Sequence, residues 1–404
     1  MKNVRLIFLA FLILGFWGCS KDVAPRRELK VSLYPYLPNI GSLYWEVESQ
    51  FEEKYPEVNL VIELNSDYYY AQDSTNKHGI NFDEADVYEL DCVFLKDFIS
   101  SGKIQKLPAS LELQEADFLP MASIGKQDGS WYGAPHWVCG NFLFYRQEDE
   151  ALKNVQNLAE LEAVMLARPE GNRLLVNFTG SSTLGEFYLT GLFDEHQDYS
   201  VVAPFLNPDN ISTTILDNMN RVLAMTDGNL GRIDDYSDRL GYYARMFARE
   251  KGSAYVGYSE SIYHMLTETM QSCALEDSCL NDLQLDVGLL PLSDHGKTPV
   301  GWVDMFVIGS EVKSEKLVDA ADFIRFMLEK ETYKSILIPA WGEAPRYILP
   351  STTELYTDQE LLAAAPLYSK LFPVISRTDA ITANGLNYKL RLIGKNIDKR
   401  LIGK

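Results

Sequence analysis

From Glu28 onward the chain switches repeatedly between short apolar runs of strand length and stretches whose apolar residues recur at helical spacing. That switching restricts it to α/β architectures. The spacing predicts strands at Lys30 to Tyr36, Val58 to Leu64, Asp86 to Leu90, Ala254 to Tyr258, Leu285 to Leu290 and Val303 to Ile308. Between and beyond them it predicts helices at Tyr44 to Tyr55, Phe94 to Ser101, Leu158 to Ala167, Thr183 to Phe193, Thr213 to Ala224, Leu240 to Arg249, Ser261 to Met270 and Glu315 to Leu328. Gly102 stands where a helix commonly stops. One further run, Trp131 to Tyr145, is extended, apolar and long enough to pass from one lobe to another. With 404 residues there is material for about two domains. No repeat, low-complexity tract or Pro-rich linker divides them, so two lobes joined by extended crossing strands are expected, with a ligand cleft between them.

The first residues read as an address. Lys2 and Arg5 precede the twelve-residue apolar run Leu6 to Trp17, too short for a relaxed membrane span but right for a secretory signal peptide over residues 1–18. Gly18-Cys19 resembles a bacterial lipoprotein processing site, which makes Cys19 a lipidation candidate, although Phe16 and Trp17 depart from the usual residues there. Export is the expectation, periplasmic or secreted, with a lipid anchor at Cys19 left open as the one membrane attachment. In an oxidising compartment Cys273 and Cys279, six apart, are a disulfide candidate. Cys92, between a strand-like and a helix-like run, reads as a buried thiol. The excess of 57 Asp and Glu over 37 Lys and Arg gives a formal charge of −20, which argues against nucleic acid as a partner and suits a small cation. The five histidines show no metal-ligand spacing and there is no Gly-rich phosphate loop, so neither a metal nor an organic cofactor is expected.

Two segments carry chemistry. Pro135-His-Trp-Val-Cys139-Gly-Asn-Phe-Leu-Phe-Tyr-Arg146 places a thiol beside a glycine in an extended run, and Gly257-Tyr-Ser-Glu260-Ser261 places a carboxylate between a strand and a helix start. Each alone has an ordinary structural reading, a buried thiol and an acid complementing a helix dipole. The order of elements resembles the two-lobed periplasmic binding protein-like fold of type II. Within it, the two segments together are similar to the nucleophile and base segments of type I thiaminase, also called thiamine pyridinylase. The resemblance runs over about residues 28–395. It includes Val31-Ser-Leu-Tyr-Pro-Tyr-Leu-Pro38, Asp86-Val-Tyr-Glu-Leu-Asp91, Asn177 with Gly180, and Asp304.

The resemblance implies that Cys139 is the nucleophile and Glu260 the base that takes its proton. It implies that Asp91 and Asp304 hold an aminopyrimidine, and that Tyr34, Tyr36, Tyr68 and Tyr258 pack around the substrate. Trp302 stands where the family has a tyrosine, and Gly241 stands where another pocket tyrosine is expected, with Tyr242 one residue away as its substitute. The implied activity is a transferase acting on thiamine without a cofactor. It passes the pyrimidinylmethyl group from thiazole to a pyridine, aniline or thiol acceptor through a covalent cysteine adduct, in a chain expected to be monomeric. The competing readings are an exported thiamine or pyrimidine binding protein for uptake and a hydrolase using the same thiol. The expected lobes are 28–138 with 299–345, and 139–298 with 346–404.

Overall fold

The computed structural model describes residues 25–63, 84–227, 241–272, 284–296, 300–340 and 342–401. The expected signal segment, Cys19, Tyr68, Cys273 and Cys279 lie outside the described residues. Two sheets organise the chain, and each is covered by helices as α/β grammar requires. The first sheet has seven strands. Six of them lie in the order β12 (Leu349–Pro350), β6 (Ala134–Gly140), β11 (Val300–Ile308), β3 (Val87–Asp91), β1 (Arg27–Ser32) and β2 (Val58–Glu63), with β13 (Asp379–Ala380) pairing β11 off that path. The second sheet runs β10 (Leu285–Leu289), β7 (Phe142–Arg146), β9 (Ala254–Gly257), β8 (Leu174–Leu175). A small hairpin of β4 (Lys126–Gln127) and β5 (Ser130–Trp131) stands apart.

Strand β11 explains why the first sheet forms. All nine of its residues are buried, and its sequence VGWVDMFVI is the near-continuous apolar run of a strand covered on both faces, interrupted by one charged residue, Asp304. Antiparallel pairing of β11 with β3 on one side and β6 on the other makes β3 and β6 run in the same direction as β1. The chain therefore presents the ends of three strands, at Ser32, Asp91 and Gly140, at one edge of the sheet. The extended run predicted over Trp131 to Tyr145 is divided at Asn141: β6 belongs to the first sheet and β7 to the second.

The tail departs from expectation. Residues 346–404 were expected in the second lobe, yet β12 pairs with β6 and β13 with β11, both in the first sheet. The physical reason is edge protection, since β12 covers the backbone groups that β6 would otherwise leave open. Only later does the tail reach the second sheet's helices. The helices that matter for the site are α1 (Ile40–Lys54), α2 (Ser181–His196), α3 (Ser261–Ser272) and α4 (Leu386–Asp398).

Helices α2 and α4 approach so closely that two glycines are needed. A Cβ on Gly394 would fall on the backbone oxygen of Ser181, and one on Gly185 would fall on that of Leu390. Backbone cannot step aside as a side chain can. Gly394→Ala is expected to lower unfolding free energy by about 1–3 kcal/mol, the usual range for overpacking. Gly41→Ala, whose new methyl meets nothing within 4 Å, should not destabilise; urea denaturation of the two variants checks the contrast.

Candidate active site

Strand register assembles one wall of a cleft of about 620 Å³. Asp304 lies opposite Asp91 across the β11–β3 pair, and Trp302 lies opposite Cys139 across the β11–β6 pair. Trp302 and Asp304 are two apart on one strand, so their side chains leave the same face and carry Asp91 and Cys139 with them. Beside this row the register of β6 and β11 shifts between Asp304 and Met305. Such bulges re-aim side chains near sites.

The shift leaves His136 in a buried niche, its ring 3.9 Å from that of Trp137, 4.5 Å from Phe306 and 5.2 Å from Tyr333 between centroids. Its Nδ1 meets Glu89 at 2.5 Å, and the other oxygen of Glu89 accepts the Tyr34 backbone N–H at 2.8 Å. Burial pulls the imidazole down from its ordinary range against the opposing pull of Glu89. The pair thus ties the strand of Cys139 to the loop after β1, where Tyr34 and Tyr36 meet edge to face at 5.5 Å.

The facing wall comes from the second sheet. Strand β9 delivers Tyr258, Ser259 and Glu260 to the start of α3, the strand-to-helix position from which α/β folds aim ligand-facing groups. The Tyr258 hydroxyl donates to Glu186, one turn into α2, and Ser182 Oγ donates to the other Glu186 oxygen at 3.2 Å. Ser259 Oγ donates to Glu260 at 3.5 Å.

Burial dominates the electrostatics. It pushes the Cys139 thiol well above its ordinary range, with the charges of Asp304, Glu260, Asp91 and Glu186 adding in that order. Asp304 is pushed well up by burial and by Asp91, Glu89 and Glu260, which favours its protonated form, an O–H donor. Glu260 is raised to about 7 by burial against its backbone and Ser259 hydrogen bonds, and Glu186 to about 7 by burial, with Asp91 adding. At rest the site holds a thiol, not a thiolate.

Tyr34, Tyr36, Asp91, Cys139, Tyr258, Glu260, Trp302 and Asp304 therefore line one cleft. Tyr242 does not. Gly241, in the left-handed region at φ +76°, turns the chain into a short helix so that Tyr242 is 42% exposed and packs edge-on against Tyr243. The space a side chain on Gly241 would need is filled by the ring of His264, which lines the cleft in its place. Glu186, His264 and Arg391 also line the cleft and were not expected. A lone acid inside Leu184-Gly-Glu-Phe-Tyr-Leu189 was the available signal for Glu186. Cys92 is fully buried, as its flanks suggested. Among the described residues no group of three or more His, Cys, Asp or Glu is placed to hold a metal ion, and no helix is long and apolar enough to cross a membrane.

A family model described as the Thiaminase-1 domain matches residues 140–277. The chain is 26% identical over 391 residues to Thiaminase-1 of Paenibacillus thiaminolyticus, covering 92% of this chain and 88% of that one. Among solved structures it is similar to Clostridium botulinum thiaminase I in complex with thiamin, at 22% identity and a TM-score of 0.79 over 92% of this chain and 99% of that one. It also resembles the GacH receptor of Streptomyces glaucescens, at 16% identity and a TM-score of 0.64 over 93% and 94%. The fold is the two-lobed periplasmic binding protein-like one of type II.

A raised thiol is a slow nucleophile. In the ligand-free protein Cys139 should therefore react with iodoacetamide at pH 8 about tenfold or more slowly than glutathione does, because only the thiolate attacks. Peptide mass spectrometry reads the site directly, and a rate matching glutathione would contradict the electrostatics above.

Proposed function

We propose that this protein is a thiamine pyridinylase that transfers the pyrimidinylmethyl group of thiamine to a pyridine, aniline or thiol acceptor. The observation that carries the reading is Cys139 and Glu260 bordering one cleft with Asp91 and Asp304, in a chain with a Thiaminase-1 domain. Cys139 is the nucleophile. Its thiolate adds to C6 of the aminopyrimidine ring, the bond from the methylene to the thiazolium nitrogen breaks, and the acceptor adds at that methylene before Cys139 is expelled.

The four carboxyl groups give the step its timing. In the empty cleft they and burial hold the thiol protonated, whereas a thiazolium cation entering the same space opposes them and favours the thiolate. Glu260, near 7, is matched to take that proton at neutral pH. Asp304 in its protonated form supplies a hydrogen bond to the ring nitrogen, which makes the ring a better electrophile. The flat faces of Tyr34, Tyr36, Tyr258 and Trp302 enclose it, and Tyr68 belongs with them by resemblance. The chain is exported through residues 1–18, with Cys19 as the point of any lipid anchor, and acts as a monomer.

Chromatography of the purified protein with thiamine, with and without pyridine or aniline, tests the reading. Acceptor-dependent adduct should form, and Cys139→Ser should abolish it while leaving thiamine binding nearly intact. Tight binding without turnover in the wild type would mean a receptor instead. Because Glu260 works only as the carboxylate and its pKa is raised, kcat/KM should climb as pH rises through about 7. Glu260→Gln should lose activity by about 10²-fold or more, the usual contribution of a general base. A wild-type profile flat between pH 6 and 8, read from initial rates, would argue against that assignment.

A further inference from the structure

We propose that Glu186 is a second base of the site, reached through the Tyr258 hydroxyl, which receives the proton that an aniline or thiol acceptor loses on adding to the methylene carbon. The inference rests on the functional reading above and deepens it. Its origin is a proton count. When pyridine is the acceptor, the carbon–nitrogen bond to thiazole breaks with its electron pair going to the thiazole nitrogen, and the pyridine lone pair forms the new bond. One cation replaces another and no proton is left over. When the acceptor is aniline or a thiol, the new bond again uses a lone pair, but an N–H or S–H bond must also break. Its electrons stay on nitrogen or sulfur, and one proton leaves.

Glu260 is not free to accept that proton. It already holds the one taken from Cys139 and must return it when the thiolate is expelled. A further acceptor is needed, and the cleft contains one that the cysteine cycle does not use. Glu186 borders the cleft from α2, while Asp91 and Asp304 come from the first sheet. It accepts the Tyr258 hydroxyl hydrogen and the Ser182 hydroxyl hydrogen. The Tyr258 oxygen, its own proton pointed at Glu186, is left as an acceptor for an incoming N–H or S–H. Proton transfer then runs from the acceptor to Tyr258 oxygen as the Tyr258 proton passes to Glu186. The phenol serves as a bridge, since burial and the Glu186 charge push it well above its ordinary range and oppose a free phenolate. Burial and Asp91 raise Glu186 to about 7, while Tyr258, Ser182 and Arg391 hold it down, which keeps it able both to accept a proton and to release it to solvent near neutral pH.

The test compares acceptors, not total activity. Wild type, Glu186→Gln and Tyr258→Phe are assayed for adduct formation from thiamine with pyridine, with aniline and with 2-mercaptoethanol, at saturating thiamine. In both variants the ratio of protic-acceptor to pyridine turnover should fall by about 10²-fold, a general-base contribution at the low end. Either variant alone suffices if the other does not fold. Loss by the same factor with all three acceptors, or an unaltered ratio, overturns the role. A wild-type protein that transfers to none of them brings down the transferase reading itself, a result distinguishable from a lost acceptor preference.

Discussion

Two aspartates face each other across neighbouring strands inside a buried sheet, and most of what the site does depends on that juxtaposition. Asp304 is the single charged residue in a strand otherwise built to be dry, and its register partner is Asp91. Two carboxylates so placed cannot both ionise cheaply, so one keeps its proton. From that follow a hydrogen-bond donor where a ring nitrogen is expected, a suppressed thiol two strands away, and a cleft whose potential favours a cation. Arg391 is the one guanidinium or ammonium group lining it among the described residues. The excess of acid over base along the whole chain is a diffuse version of the same preference.

The supports beneath the site are as specific as the site itself. A register shift in β6 opens a niche for His136, which holds Glu89, which in turn holds the backbone of Tyr34. Aromatic rings close the niche on three sides. Removing one partner of so buried a pair strands the other, which is why such pairs matter more for positioning than for net stability.

How much of this was legible in the sequence depended on how local each cause was. Cys139, Glu260, Asp91 and Asp304 each had an ordinary local reading, and only the resemblance across separated segments singled them out; strand register then brings the four to one cleft. The helix over Thr213–Ala224 and most strands followed from period. What failed was set by distant contacts. Tyr242 was misjudged because the left-handed turn at Gly241 and the ring of His264, from another helix, together decide which side chain forms the wall. Glu186 was passed over inside the helix predicted at Thr183 to Phe193, because the hydroxyl that bonds it, Tyr258, lies 72 residues away in sequence. The tail was assigned to the second lobe although β12 and β13 pair with the first sheet, because edge strands of two residues carry almost no periodic signal.

Asn141 separates the strand of the first sheet that carries Cys139 from a strand of the second, and Glu260 follows a strand of that second sheet. The distance between thiol and carboxylate is thus a property of neither sheet. It is set by how the two sheets are placed against each other across the cleft. Under the proposed mechanism, occupancy of the cleft and deprotonation of Cys139 become one event, so the buried thiol of the empty protein stays unreactive towards whatever else it meets.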